Sequence, residues 1–169
     1  VNTGALLQSY QNPAPEVNGL FGMSVAALGT NLLIGAPQND VDTLVDAGKA
    51  YVFSTSSGTP MATHLAPTPV TNAHFGYGVG ALGTDLLVVQ VKLPSEAYRI
   101  DSATGTVTAT YTQPSPQDGK WGNFIKPVGA HVAVGDQELG KVFLFAATSG
   151  AFERVLAQHD EIDALNATR

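Results

Sequence analysis

Short apolar runs broken by glycine and proline return along this chain in nearly the same form. Residues 21–37 read FGMSVAALGTNLLIGAP, and residues 75–89 read FGYGVGALGTDLLVV. In both, two apolar runs flank Gly-Thr, which predicts a tight β-hairpin because glycine adopts the positive φ that a two-residue turn needs. A further strand is predicted over Lys49–Phe53. No window before residue 150 has a helical period, so the pattern indicates an all-β protein.

Three landmarks recur at nearly constant spacing and define a sequence repeat. Each unit starts at a glycine, has prolines nine and eleven residues later, and has an aromatic–Gly pair after 16 or 17 residues. The units are 4–57, 58–104 and 105–149, with 150–169 as a divergent partial unit of one domain, 1–169. Each unit opens with a predicted strand: Leu6–Tyr10, Met61–Leu65, Val107–Tyr111 and Phe152–Leu156. Tandem four-stranded antiparallel sheets of this length predict a β-propeller type of fold with about three blades.

The motifs of the first unit carry a family resemblance. Phe21-Gly22, Gly35-Ala36-Pro37 and the closing strand Tyr51-Val52-Phe53 resemble the FG-GAP repeats of integrin-type β-propellers, especially those of bacterial secreted or surface proteins. Integrin-type repeats carry a calcium loop between their first two strands, but here that position holds only GTN, GTD and GAH. The resemblance therefore implies an extracellular or cell-surface module for binding, adhesion or assembly, and it does not imply calcium.

Charge and composition exclude several classes of protein. The 169 residues carry a net charge of −6 without any Lys/Arg cluster, which argues against nucleic-acid binding. The chain has no cysteine, so it has neither a disulfide framework nor a thiolate metal site. No apolar run reaches the roughly 20 residues of a membrane-spanning helix, so membrane insertion is not expected.

One loop of the first unit is the strongest candidate for a metal site. Asp40, Asp42 and Asp46 could offer the oxygen ligands that calcium prefers. The spacing lacks an internal turn glycine and a bidentate acid at its end, and the other units do not repeat it. A solvated hairpin loop is therefore the favoured interpretation, with a metal site as the alternative, and no cofactor is expected.

Histidines and acids give no clear catalytic constellation. The four histidines, His64, His74, His131 and His159, do not converge in the repeat frame, and we interpret them as surface substitutions; the one local grouping is His131, Asp136 and Glu138. A glycosidase pair could in principle come from Glu16, Glu96, Glu138 and several aspartates. The predicted starts of the inner strands, at Ser24, Gly78 and Asn123, hold no acid. The tripeptide Asn166-Ala167-Thr168 is a weak glycosylation signal.

These observations predict a non-enzymatic surface module whose ligand is a protein or a glycan. The alternative is a propeller-based enzyme that acts on a polysaccharide or another polymer through loop carboxylates. Three blades are fewer than a propeller needs to close, which indicates either flanking blades in a longer parent protein or a homo-oligomer. We expect a dimer that completes a six-bladed ring, and because the chain starts with Val1 we expect it to be cut from a longer precursor.

Overall fold

The computed structural model describes residues 4–114 and 121–157, which form twelve β-strands in three four-stranded antiparallel sheets. Blade 1 contains β1 (Ser24–Leu28), β2 (Asn31–Ala36), β3 (Lys49–Ser54) and β4 (Pro60–His64). Blade 2 contains β5 (Val79–Leu82), β6 (Asp85–Gln90), β7 (Glu96–Ile100) and β8 (Val107–Thr112). Blade 3 contains β9 (Trp121–Val128), β10 (His131–Asp136), β11 (Lys141–Ala146) and β12 (Phe152–Ala157). The predicted all-β fold with propeller-type blades is confirmed.

The first two strands of every blade are joined by a two-residue turn that begins with glycine. Gly29, Gly83 and Gly129 have φ values of 59°, 63° and 59°. L-residues with a side chain rarely adopt this left-handed backbone conformation, whereas glycine adopts it freely. The Gly-Thr hairpins predicted from the sequence are therefore confirmed.

The sequence units and the blades are out of phase. The predicted opening strands of the second and third units are β4 and β8, the outer strands of blades 1 and 2, and the opening strand of the partial unit is β12. The corresponding strand predicted at Leu6–Tyr10 is wrong, because the structure places no strand among residues 4–10. The physical reason is that an outer strand is defined by pairing with the third strand of its own blade, and no described residue offers that partner to Leu6–Tyr10.

The blades stack in chain order, with the inner strands β1, β5 and β9 in successive contact. Alternate residues of a strand face opposite neighbours. In β6, Leu86 and Val88 belong to the core shared with blade 1, and Leu87 and Val89 to the core shared with blade 3. Burying both faces of blade 2 in this way is the main apolar contribution to the fold.

The aromatic residue of each aromatic–Gly pair packs on the face that its blade turns towards the preceding one. Phe75 lies fully buried between blades 1 and 2, and Trp121 between blades 2 and 3. Phe21 instead covers the free face of blade 1, together with Tyr10 and against Tyr51 and Phe53.

A glycine carbonyl closes each joint between blades. At the first joint, a Cβ on Gly35 would clash with the carbonyl of Gly76, which also accepts a 2.9 Å hydrogen bond from Ser24 Oγ. At the second joint, a Cβ on Gly78 would clash with the carbonyl of Gly122. At each joint, the small residue at the start of the inner strand (Ser24 or Gly78) and the fifth residue of the second strand (Gly35 or Val89) leave room for this carbonyl, and we call that space the socket.

Among the described residues no helix is long and apolar enough to cross a membrane.

Candidate binding cleft at the loop face

One edge of the blades carries the long loops, and we call it the loop face. Here the inner strands begin and the second strands end, whereas the two-residue hairpins lie at the opposite edge. A cleft of about 360 Å³ opens on the loop face between blades 1 and 2. It is lined by four apolar residues, Leu20, Met23, Pro37 and Val91, and by four polar ones, Gln38, Asn72, His74 and Tyr77.

The two walls of the cleft are equivalent turns of successive units. Met23 N–H donates to the carbonyl of Leu20 at 3.0 Å, and Tyr77 N–H donates to the carbonyl of His74 at 3.1 Å. Leu20 and His74 both have a φ of 52°, which is uncommon for residues with a side chain. The repeat thus uses the same backbone turn for both walls of the cleft, and the two walls differ in their side chains.

The cleft has an accessible apolar side and a more enclosed polar side. Leu20 and Met23 are each 47% exposed, which is high for large apolar side chains beside a concave surface. Opposite them, burial raises the pKa of Tyr77, and the negative charge of Glu138 on blade 3 raises this pKa further. Tyr77 is therefore a neutral phenol at physiological pH, so it can act as a hydrogen-bond donor.

The candidate metal loop holds the first joint together through its backbone. Asp46 accepts a 3.0 Å hydrogen bond from His74 N–H at its carbonyl, and Val45 accepts one of 2.8 Å from Asn72 N–H. Inside the loop, Asp40 Oδ1 accepts from Asp46 N–H at 2.8 Å. Residues 4–114 and 121–157 contain no group of three His, Asp or Glu side chains placed to hold a metal ion, so Asp42 does not complete a ligand set with its neighbours.

The histidines are dispersed, and one of them is not a surface residue. His64, on the outer strand of blade 1, is only 9% exposed, and burial lowers its pKa. Its interpretation as a surface substitution is wrong, because its pairing with Ala50 turns it towards blade 2. His131 lies 2.8 Å from the carboxylate of Glu153, not beside Asp136, which is buried at the other end of β10. His74 lines the cleft, and His159 lies outside the described residues, as does Asn166-Ala167-Thr168.

Most described carboxylates have a structural hydrogen-bonding role. Glu16 accepts from Asn39 Nδ2 and from Asp40 N–H, and Glu96 accepts from Tyr98 OH at 2.6 Å. Three others bond within their own blade: Asp85 with Arg99, Asp101 with Thr104, and Asp136 with the N–H groups of Glu138 and Leu139. None of the three glutamates considered from the sequence lines the cleft.

Comparison with known proteins identifies the repeat. Residues 16–53 match the model of the FG-GAP repeat. The first unit thus contains a segment similar to this repeat. The match runs from the segment that covers blade 1 to the end of its aromatic third strand, so it includes the Phe21-Gly22 and Gly35-Ala36-Pro37 motifs. By sequence, the chain matches no curated protein.

Two solved structures share the fold. A protein of unknown function from Bacteroides caccae aligns with a TM-score of 0.56 at 15% identity, over 81% of this chain and 45% of that one. BamB from Moraxella catarrhalis aligns with a TM-score of 0.52 at 12% identity, over 81% of this chain and 37% of that one. This chain thus spans less than half the length of either structure, and the likeness concerns the fold alone.

Sequence reasoning missed the cleft because its residues belong to four separate segments. Leu20 and Met23 flank the aromatic–Gly pair, Pro37 ends the GAP motif, and Val91 follows β6. The one available signal was that the paired positions Asn18 and Leu20 recur as Asn72 and His74. A residue that changes from leucine to histidine within a conserved backbone design indicates a surface that the repeat leaves free to vary.

Proposed function

We propose that this chain is a non-enzymatic FG-GAP module that binds a protein partner at the loop-face cleft, outside the cell. The observation that carries the proposal is the pairing of two half-exposed apolar side chains, Leu20 and Met23, with hydrogen-bonding groups in one concave site. A cleft of about 360 Å³ is at the small end of ligand sites, and it suits one or two side chains of an extended peptide.

The chemistry of the lining favours a peptide over a sugar. Leucine, methionine, proline and valine offer an aliphatic surface, and Met adapts its shape to different apolar partners. Gln38, Asn72 and His74 can bond the polar backbone beside a bound side chain. Sugar sites usually need a flat, exposed aromatic ring, whereas Tyr77 is partly buried in the wall.

The structural roles of the carboxylates argue against the enzymatic alternative. A glycosidase needs two acids that face each other across a substrate with free oxygens. Glu16, Glu96 and Asp136 are each engaged in hydrogen bonds that fix a loop or a strand. Glu138 raises the pKa of Tyr77 in the cleft wall, but none of the residues that line the cleft is an acid.

Selection of binders from a random displayed peptide library tests this proposal. Peptides with an apolar anchor should bind the wild type, and Met23→Asp should weaken them at least about tenfold because it places a charge in the apolar wall. Val128→Asp is the matched control, since Val128 is also exposed but lies at the opposite edge of the blades. Peptides that bind Met23→Asp as well as the wild type would contradict the proposal. Release of reducing ends from a polysaccharide panel would instead support the enzyme.

A further inference from the structure

The charges on the blade 1 side of the cleft are all negative. The residues of this wall come from a stretch, residues 4–48, that contains no lysine or arginine. The same stretch contains four acids, Glu16, Asp40, Asp42 and Asp46. The next base, Lys49, lies on the same side of β3 as Tyr51 and Phe53, which face away from blade 2. It therefore does not offset these acids at the cleft.

Hydrogen bonds hold the loop of residues 40–46 along the rim of the cleft. The loop starts two residues after Gln38 in the blade 1 wall. At its other end, the carbonyl of Asp46 accepts a 3.0 Å hydrogen bond from the N–H of His74 in the blade 2 wall. The carboxylate of Asp40 accepts a 2.8 Å hydrogen bond from Asp46 N–H, which fixes the loop in between. The acids of this loop therefore lie beside both walls.

The carboxylates of Asp42 and Asp46 have no positive partner, in contrast to acids at the hairpin edge of the blades. At that edge, Asp85 lies 2.6 Å from Arg99, and Glu153 lies 2.8 Å from His131. These are the only two ion pairs within residues 4–114 and 121–157. The loop's own hydrogen bonds use the Asp40 carboxylate and the Asp46 backbone. An uncompensated negative rim beside an apolar groove is complementary to a ligand that is both apolar and basic.

The blade 2 side of the cleft differs, because it has a base of its own. Lys92 directly follows Val91 of the cleft wall and is exposed. Tyr77, in the same wall, is subject to the negative charge of Glu138, which raises its pKa. Charges of both signs thus act on the blade 2 side, so a positive ligand group is favoured on the blade 1 side.

We propose that the protein segment bound at the cleft carries a lysine or arginine within two residues of its apolar anchor, and that this basic group lies over the loop of residues 40–46. The inference rests on the proposed function and names the chemistry of its partner. The apolar anchor packs against Leu20 and Met23, and the basic group pairs with the carboxylates of Asp42 and Asp46. Exposed charges at the rim of a site mainly speed association and make it sensitive to salt.

Peptides selected with the wild-type protein test this inference first. They should be enriched in lysine and arginine beside the apolar anchor, compared with the unselected library. Replacing that basic residue with glutamine should lower the affinity at least about fivefold at about 50 mM NaCl, and most of this difference should vanish at about 500 mM because salt screens exposed charges. Both measurements use the wild-type protein.

A double substitution in the loop tests the other side of the contact. Asp42 and Asp46 both have a φ of 52°, which asparagine tolerates well, so Asp42→Asn with Asp46→Asn should keep the loop conformation. We expect it to weaken the basic peptide at least about fivefold and its glutamine form less than about twofold. Asp101→Asn with Glu153→Gln is the matched control, because it removes two negative charges at the hairpin edge and should leave both affinities unchanged.

The outcomes separate this inference from the proposed function. Neutral apolar peptides that bind as tightly as basic ones would overturn the inference and leave the proposed function intact. Equal losses for the two double variants would also overturn it, because the attraction would then come from the net charge of −6 and not from the loop. Complete displacement of the peptide by spermine would indicate a site for small polycations and overturn it too. Failure of every peptide to bind would overturn both proposals.

Discussion

The joint between blades 1 and 2 and the outer face of blade 3 are built from equivalent positions but have opposite properties. At the joint, Ser24 and Gly35 leave room for the carbonyl of Gly76, and backbone meets backbone. On blade 3, Phe124 lies over Gly135 and fills that room with a side chain. Equivalent register positions thus hold a backbone contact between two blades at the joint and a side-chain contact within blade 3 on its outer face.

The difference is one of shape, because backbone fills the space at the joint and a side chain fills it on blade 3. Blade 3 keeps the strands and the hairpin, and it has a phenylalanine at the position where blades 1 and 2 have a small residue. The predicted six-bladed dimer stays a prediction.

The largest difference in stability is expected between a methyl group added at Gly35 and one added at Gly135. We expect Gly35→Ala to lower the free energy of unfolding by about 2–3 kcal/mol, because its Cβ clashes with the backbone of another blade. Gly135→Ala should cost less than about 1 kcal/mol, since the exposed ring of Phe124 can turn away. Urea unfolding of both variants measures the difference, and equal losses would mean that Phe124 is held as firmly as backbone.

A smaller effect is expected for two tyrosines in matched places, Tyr111 in the second joint and Tyr10 on the free face of blade 1. Tyr111 OH donates a buried 2.8 Å hydrogen bond to the carbonyl of Ala147 across the second joint. Tyr111→Phe should therefore cost about 1 kcal/mol, whereas Tyr10→Phe on the free face should stay within about 0.5 kcal/mol. The same unfolding measurement decides this. A Tyr10→Phe loss as large as that of Tyr111→Phe would contradict this difference between the free face and the joint.

The smallest effect concerns pH at the first joint. Burial lowers the pKa of His64 from 6.5, so the unfolded chain takes up this proton at a higher pH than the folded chain. The contribution is therefore intact above pH 6.5 and is lost as the pH falls from there towards the folded pKa. His64→Tyr, which copies Tyr111, should have a melting temperature that falls less between pH 7.5 and 5. Parallel pH profiles of the two proteins would contradict this assignment.

The hydrophobic pattern alone determined the strands, the hairpins and the repeat. Apolar runs around Gly29 and Gly83 specify local geometry through φ, which depends on a residue and its immediate neighbours. The aromatic–Gly pairs recur in every unit, but only Phe75 and Trp121 pack between two blades, whereas Phe21 covers the free face of blade 1.

Only the tertiary structure decided where the blades begin and where the cleft lies. The predicted start of the third inner strand at Asn123 is one residue early, because Phe124 follows Trp121 by the same three residues that separate Ser24 from Phe21, and strand pairing puts Phe124 in the same position. His64 became a buried residue through its pairing with Ala50, and the cleft joins Leu20 to Val91 across two blades. Each of these depends on pairing between segments distant in the chain, and a shift of one residue in that pairing moves a side chain to the opposite face of the sheet.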